Sequence, residues 1–102
     1  MKIYGQTDEI IVREMVEDDC KKFLELMNEH GTNEDFTVED ICVLWEFRNK
    51  KGDIQCTITS IDGATVYGFC GILYSHNDKT VHADVLAAYK DKGYEEQAKQ
   101  LL

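Results

Sequence analysis

The chain has 102 residues, 43% of them hydrophobic and 10% aromatic, enough for one domain that buries about 65% of its unfolded surface. Its formal charge of −9, from 11 basic and 20 acidic side chains, argues against binding a phosphate backbone and would suit a cationic amine or a basic protein. The longest apolar runs are five residues, too short to span a membrane, and Met1 to Gly5 carries no apolar signal stretch. Cys20, Cys42, Cys56 and Cys70 contain no CxxC pair and fall among apolar neighbours. They read as small buried hydrophobes in a reducing cytoplasm rather than as zinc ligands.

In chain order, Ile10 to Arg13 reads as a short strand, with Ile3 and Tyr4 an extension ahead of it. Val16, Cys20, Phe23, Leu24 and Met27 follow helical spacing, with acidic Asp18 and Asp19 at the start and Gly31 at the stop. Residues 31–36 form a polar loop. Thr37-Val38-Glu39-Asp40 resembles a capping box, and Val38, Ile41, Leu44, Trp45 and Arg48 share a face behind it. That second helix runs to about Asn49 and closes at Lys50-Lys51-Gly52, cations at the negative end of the dipole.

The period then drops to two. Ile54, Cys56 and Ile58 alternate with polar residues, Asp62-Gly63 signals a hairpin turn, and Thr65 to Tyr74 returns as a strand covered on both faces. Ser75 to Lys79 turns the chain into a third strand, Thr80 to Leu86. A short loop, Ala87 to Lys92, and Gly93 lead to an amphipathic helix. Residues 1–102 thus form a single α+β domain, a twisted sheet with helices packed on it.

Strand, tight loop and helix N-terminus together collect unpaired N–H groups able to hold a phosphate. The run Tyr89-Lys90-Asp91-Lys92-Gly93-Tyr94-Glu95 resembles the acetyl-CoA pyrophosphate loop of the GNAT superfamily of N-acetyltransferases. The family pattern is Arg or Gln, two residues, Gly, one residue, then Gly or Ala. Here Lys90 takes the first place, Gly93 the first glycine and Glu95 the second small residue. Ile10 to Glu14 with Glu17-Asp18-Asp19 is similar to the family's first strand and helix start, Val66 to Gly71 to its third strand, and Val85 to Lys90 to the approach to the loop.

The resemblance covers about Ile10 to Leu102. It implies a GNAT-like fold with a mixed, mostly antiparallel sheet, truncated after the helix that follows the pyrophosphate loop. It further implies acetyl-CoA as co-substrate, with Val85, Leu86 and Ala87 offering backbone groups to the pantetheine arm. Lys90, Asp91, Lys92, Gly93, Tyr94 and Glu95 would hold the pyrophosphate. In such enzymes an amine attacks the thioester directly while a carboxylate, histidine or water takes its proton. The acceptor would be a small-molecule or peptide amine, in places flanked by Glu39, Asp40 and Glu46. The family pattern continues past this point with a further strand, so the 80–86 strand is expected to leave an edge that a second copy covers, making a homodimer.

His82 and Asp84 alternate with Val81, Ala83 and Val85, so both project from one face of their strand. If that face lines a cleft, one serves as general base and the other holds the substrate ammonium. The plainer alternative is a solvated polar row. His30 reads as a helix C-terminal cation, His76 as a loop residue, Trp45 as core, and the tyrosines as packing residues, Tyr94 alone standing where a ring would touch a nucleotide. No metal-ligand spacing appears. Acidic Glu95 where a small residue belongs favours a second function, a non-catalytic GNAT-fold module acting through dimerisation or a protein partner. A third is an acidic mimic that binds a basic partner.

Overall fold

The computed structural model describes residues 1–31 and 35–102, so the middle of the loop expected over 31–36 lies outside the described residues. Five strands lie in sequence order in one sheet: β1 (Ile3–Gln6), β2 (Ile11–Glu14), β3 (Ile54–Thr59), β4 (Val66–Ser75) and β5 (Asp78–Val85). Every ladder is antiparallel. Helices α1 (Cys20–Glu29) and α2 (Val38–Lys51) come between β2 and β3, and α3 (Tyr94–Gln100) follows β5. The α+β reading holds; among the described residues the sheet has no parallel pair.

The expectation at the N-terminus needs correction. Ile3 and Tyr4 do not extend the Ile10–Arg13 strand; they belong to β1, which pairs back on β2 with Ile3 opposite Arg13. The turn between them is built by Thr7, whose N–H donates to the Ile10 carbonyl at 2.9 Å and whose hydroxyl accepts the N–H groups of Glu9 and Ile10. Four-residue strands carry too few alternations to expose such a hairpin to a period count. A smaller shift occurs at β5, which starts at Asp78: Ser75 pairs with Asp78 across a tight turn in which His76 takes φ +51°.

The helices start and stop where their chemistry dictates. A 3-10 turn, Glu17–Asp19, leads into α1. Thr37 caps α2: its hydroxyl accepts the Asp40 N–H at 3.2 Å while the Asp40 carboxylate accepts the Thr37 N–H at 2.9 Å. Lys50 and Lys51 close the helix before Gly52, placing cations at the negative end of its dipole.

The sheet is covered on both faces. Ile10, Val12, Cys56, Ile58, Cys70, Ala83 and Val85 pack with Ala98 of α3 on one side. Met15, Phe69 and Leu86 pack with Cys20 and Leu26 of α1 and Ile41 of α2 on the other, where Trp45 also packs. Val12 and Ile58 are fully buried, each contributing roughly 1.5–3 kcal/mol of burial.

One polar network ties the turn that leads into α1 to the sheet. Arg13 of β2 donates to both carboxylate oxygens of Asp19 at 2.8 and 3.0 Å; Asp19 also accepts the Val16 N–H and the Thr57 hydroxyl, each at 2.9 Å. Asp19 is 5% exposed. Burial pushes its pKa up, but the Arg13, Val16 and Thr57 hydrogen bonds outweigh it and hold the carboxyl below its ordinary range.

All four cysteines are free thiols, and three are buried. Cys56 and Cys70 are direct cross-strand partners. Hydrogen bonding to Cys56 and burial push the Cys70 thiol up; burial and the neighbouring Cys42 push Cys20 up to about 12. The Cys20 and Cys70 thiols are therefore protonated and inert, and among the described residues no His, Cys, Asp or Glu cluster has the form of a metal site.

Candidate active site on strand β5

β5 organises the candidate site because it presents three different surfaces at once. Along its α1–α2 face, His82 and Asp84 both line a cleft of about 260 Å³. The two therefore share a face, and residues of α1 and α2 stand at the same cleft. Phe23 and Leu26 of α1 with Phe69 and Leu73 of β4 make the apolar wall. Phe23 and Phe69 meet edge to face with centroids 5.1 Å apart. Arg48 enters from α2, and His30, the C-cap of α1, stands at the same cleft.

Burial holds the His82 pKa below its ordinary value. Asp84 pulls it up, Arg48 pushes it down, and Asp53 and Lys99 act more weakly in opposite senses. His82 is therefore a neutral imidazole at pH 7, able to accept a proton. A carboxylate two residues away on the same face is placed to hold a cation.

The second surface is the strand edge. Leu86 donates its N–H to the Tyr67 carbonyl of β4 at 2.8 Å. Backbone groups alternate sides along a strand, so those of Val85 and Ala83 point to the unpaired edge. The sequence expectation for 85–87 is narrowed here. The Leu86 N–H is used inside the sheet, and the Ala87 N–H donates to the Glu29 carboxylate at 2.8 Å. The carbonyls of Leu86 and Ala87 accept the Tyr89 and Lys90 N–H groups. Val85 alone of the three turns both backbone groups outward.

The third surface is the loop into α3. A 3-10 turn, Ala87–Tyr89, is followed by Asp91 at φ +64° and Gly93 at φ +80°. Among the described residues no protein acceptor takes the N–H groups of residues 91–96, and a side-chain carbon added at Gly93 would meet nothing closer than 4.0 Å. The outer side of the loop is open. Glu95 turns back to Lys90, 3.7 Å away, rather than across the loop; at this exposure the pair contributes about 0–1 kcal/mol. Tyr94 stacks on Tyr67 at 4.5 Å, so its ring faces the sheet rather than a nucleotide.

Several features of the candidate site lay beyond sequence reasoning. Arg48 shared the apolar stripe of α2, and a cation on that stripe was the available signal. Gly68 is another: a side-chain carbon there would lie 2.6 Å from the Val85 Cα and closer still to the Asp84 carbonyl oxygen. Its lack of a side chain lets β4 and β5 approach beside the cleft, next to a register irregularity where Ile58 pairs with Gly68 and Thr59 with Val66. Glu29 gave no signal. The acidic rim expected from Glu39, Asp40 and Glu46 is not at the cleft. Asp40 is used in its cap, and Glu39 lines a larger hollow of about 680 Å³ with Glu17, Asp18 and Val43. That hollow shares no residue with the His82–Asp84 cleft.

Five antiparallel strands with two helices between the second and third, and a loop and helix after the fifth, make the fold of the GNAT-type N-acetyltransferases. An N-acetyltransferase from Staphylococcus aureus Mu50 superposes with a TM-score of 0.70 at 15% identity, covering 89% of this chain and 62% of that one. Glucosamine-6-phosphate N-acetyltransferase from Arabidopsis thaliana superposes at 0.68 and 16% identity, covering 93% and 71%. The chain thus spans less than two thirds of the Staphylococcus protein. In sequence, no family model and no curated protein matches it.

Proposed function

We propose that this chain is an acyl-CoA-dependent N-acetyltransferase that transfers an acetyl group to an amine held in the His82–Asp84 cleft. One observation carries the reading: β5 has a neutral histidine and a carboxylate on its cleft face, an unpaired edge at Val85, and the open 90–96 loop at its end. Acetyl-CoA supplies the thioester. Val85 would align it along the edge, and the loop N–H groups with Lys92 would take the pyrophosphate. Asp84 would orient the incoming ammonium and His82 would take one of its protons; the freed amine would bond to the carbonyl carbon, and its second proton would leave with the CoA thiol. The free thiols are in keeping with a reducing cytoplasm.

The test is thiol release from acetyl-CoA across a panel of amines, with His82→Gln as control. Amine-dependent release that falls at least about 100-fold in the variant supports the assignment. Release independent of His82 contradicts it.

A second reading is favoured by Glu29, which occupies the Ala87 N–H, and by Glu95 in the loop. In it the fold is a non-catalytic module whose β5 edge is closed by the same strand of a second copy. The readings divide on assembly: the enzyme needs that edge open in solution, whereas the module pairs it. Light scattering combined with edge-strand hydrogen exchange distinguishes them, since protected N–H groups at Ala83 and Val85 accompany only the paired form.

A further inference from the structure

Arg48 is out of keeping with the rest of the chain. Acidic residues outnumber basic ones 20 to 11, yet among the described residues Arg48 has no carboxylate within ion-pair distance and its guanidinium makes no hydrogen bond. It is half-buried and lines the same cleft as Asp84 and His82. An arginine left without an anion in an acidic protein, at the wall of a cleft, is suited to a ligand carboxylate, which its planar fork grips through two parallel N–H bonds. Asp84 offers the opposite charge in the same cleft, and both fields reach His82, with Asp53 and Lys99 acting more weakly. Formally the pair sums to zero, the complement of a zwitterion. A polyamine or a lysine-rich peptide would instead bring cations against Arg48.

The remaining wall decides the side chain. Phe23, Leu26, Phe69 and Leu73 are apolar, which favours a hydrophobic substituent over a sugar or a polar head. The volume of about 260 Å³ is below the roughly 300–1,000 Å³ of sites that take drug-sized ligands, so one small molecule fits and a peptide does not.

Building on the acyl-transfer reading above, we propose that the acceptor is a free hydrophobic α-amino acid, its carboxylate on Arg48, its ammonium on Asp84 and its side chain against Phe23 and Phe69. In the reaction His82 takes one proton from the ammonium, the freed amine's lone pair bonds to the acyl carbon, the carbon–sulfur bond breaks, a second nitrogen proton goes to the departing thiolate, and N-acetyl amino acid and CoA thiol leave.

The experiment measures binding of L-phenylalanine and of L-phenylalanine methyl ester to the full chain by protein-observed NMR without acetyl-CoA, then acetyl transfer to each and to spermidine. The expected result is at least tenfold tighter binding of the acid than of the ester. Arg48→Met, which retains the stem's packing, removes that preference, and Arg48→Lys restores part of it. Because the acid-to-ester ratio is taken within each variant, a general loss of fold does not mimic the effect. Equal binding of acid and ester, a preference that survives Arg48→Met, or no binding of either at millimolar concentration overturns the proposal. Phenylalanine binding without acetyl transfer upholds the amino-acid site and refutes the enzyme reading. Transfer to spermidine but not to phenylalanine does the reverse.

Discussion

Replacing Asp19 with alanine tests whether the buried Arg13–Asp19–Thr57 network holds the turn leading into α1 against the sheet. Asp19 accepts four hydrogen bonds, two from the Arg13 guanidinium, one from the Val16 N–H and one from the Thr57 hydroxyl, at 2.8 to 3.0 Å. The substitution leaves a half-buried guanidinium without its anion and the fully buried Thr57 hydroxyl without its acceptor. Breaking one partner of a buried pair costs about 3–5 kcal/mol, a large share of the roughly 5–15 kcal/mol of a typical domain. With about 4–8 °C per kcal/mol at this size, the midpoint of thermal unfolding should fall by at least roughly 12 °C. The pair Arg13→Met with Asp19→Leu should recover most of the loss, since apolar replacements of a buried ion pair are often neutral. The folded-state pKa of Asp19 is depressed, so its contribution is present above the ordinary carboxyl value, near 4, and is lost as pH falls through the folded value. Urea unfolding across pH, read by tryptophan fluorescence, measures both effects. An alanine variant within about 1 kcal/mol of the parent, with unchanged acid sensitivity, would refute the network's role.

Glu95→Gly removes a carboxylate from the open loop and releases Lys90; acetyl-CoA binding by calorimetry should tighten by up to about fivefold, the equivalent of an exposed charge contact. The rate profile for acceptor turnover should show an acid limb below the ordinary imidazole value of about 6.5, because burial lowers His82 and only its neutral form accepts a proton. That limb should vanish in His82→Gln. Gly68→Ala pushes a methyl group into the β5 backbone at Asp84 and Val85; chemical denaturation should show a loss of about 1–3 kcal/mol.

Much of the fold was legible because its signals are local. The Thr37–Asp40 capping box, the Gly52 stop, the alternation of Ile54, Cys56 and Ile58, and the Asp62-Gly63 turn each depend on residues a few positions apart. The first hairpin was not legible, because Ile3–Gln6 is too short for its period to register and its turn rests on one threonine hydroxyl. The candidate site was legible as a strand followed by a loop, and the alternation of His82 and Asp84 anticipated that both line one cleft from one face of the strand. What covers that face was not, since Phe23, Arg48 and Asp84 meet only through tertiary packing across 61 residues of chain. Glu29 reaching the Ala87 N–H, 58 residues away, is the same kind of long-range contact.

The claim that β5 and the loop after it hold an acyl-CoA is tested most directly by titrating the full chain with acetyl-CoA in a calorimeter, its oligomeric state checked in the same buffer. The account predicts saturable binding in the micromolar range, about −8 kcal/mol, with the β5 edge open. No heat of binding at millimolar acetyl-CoA would contradict it.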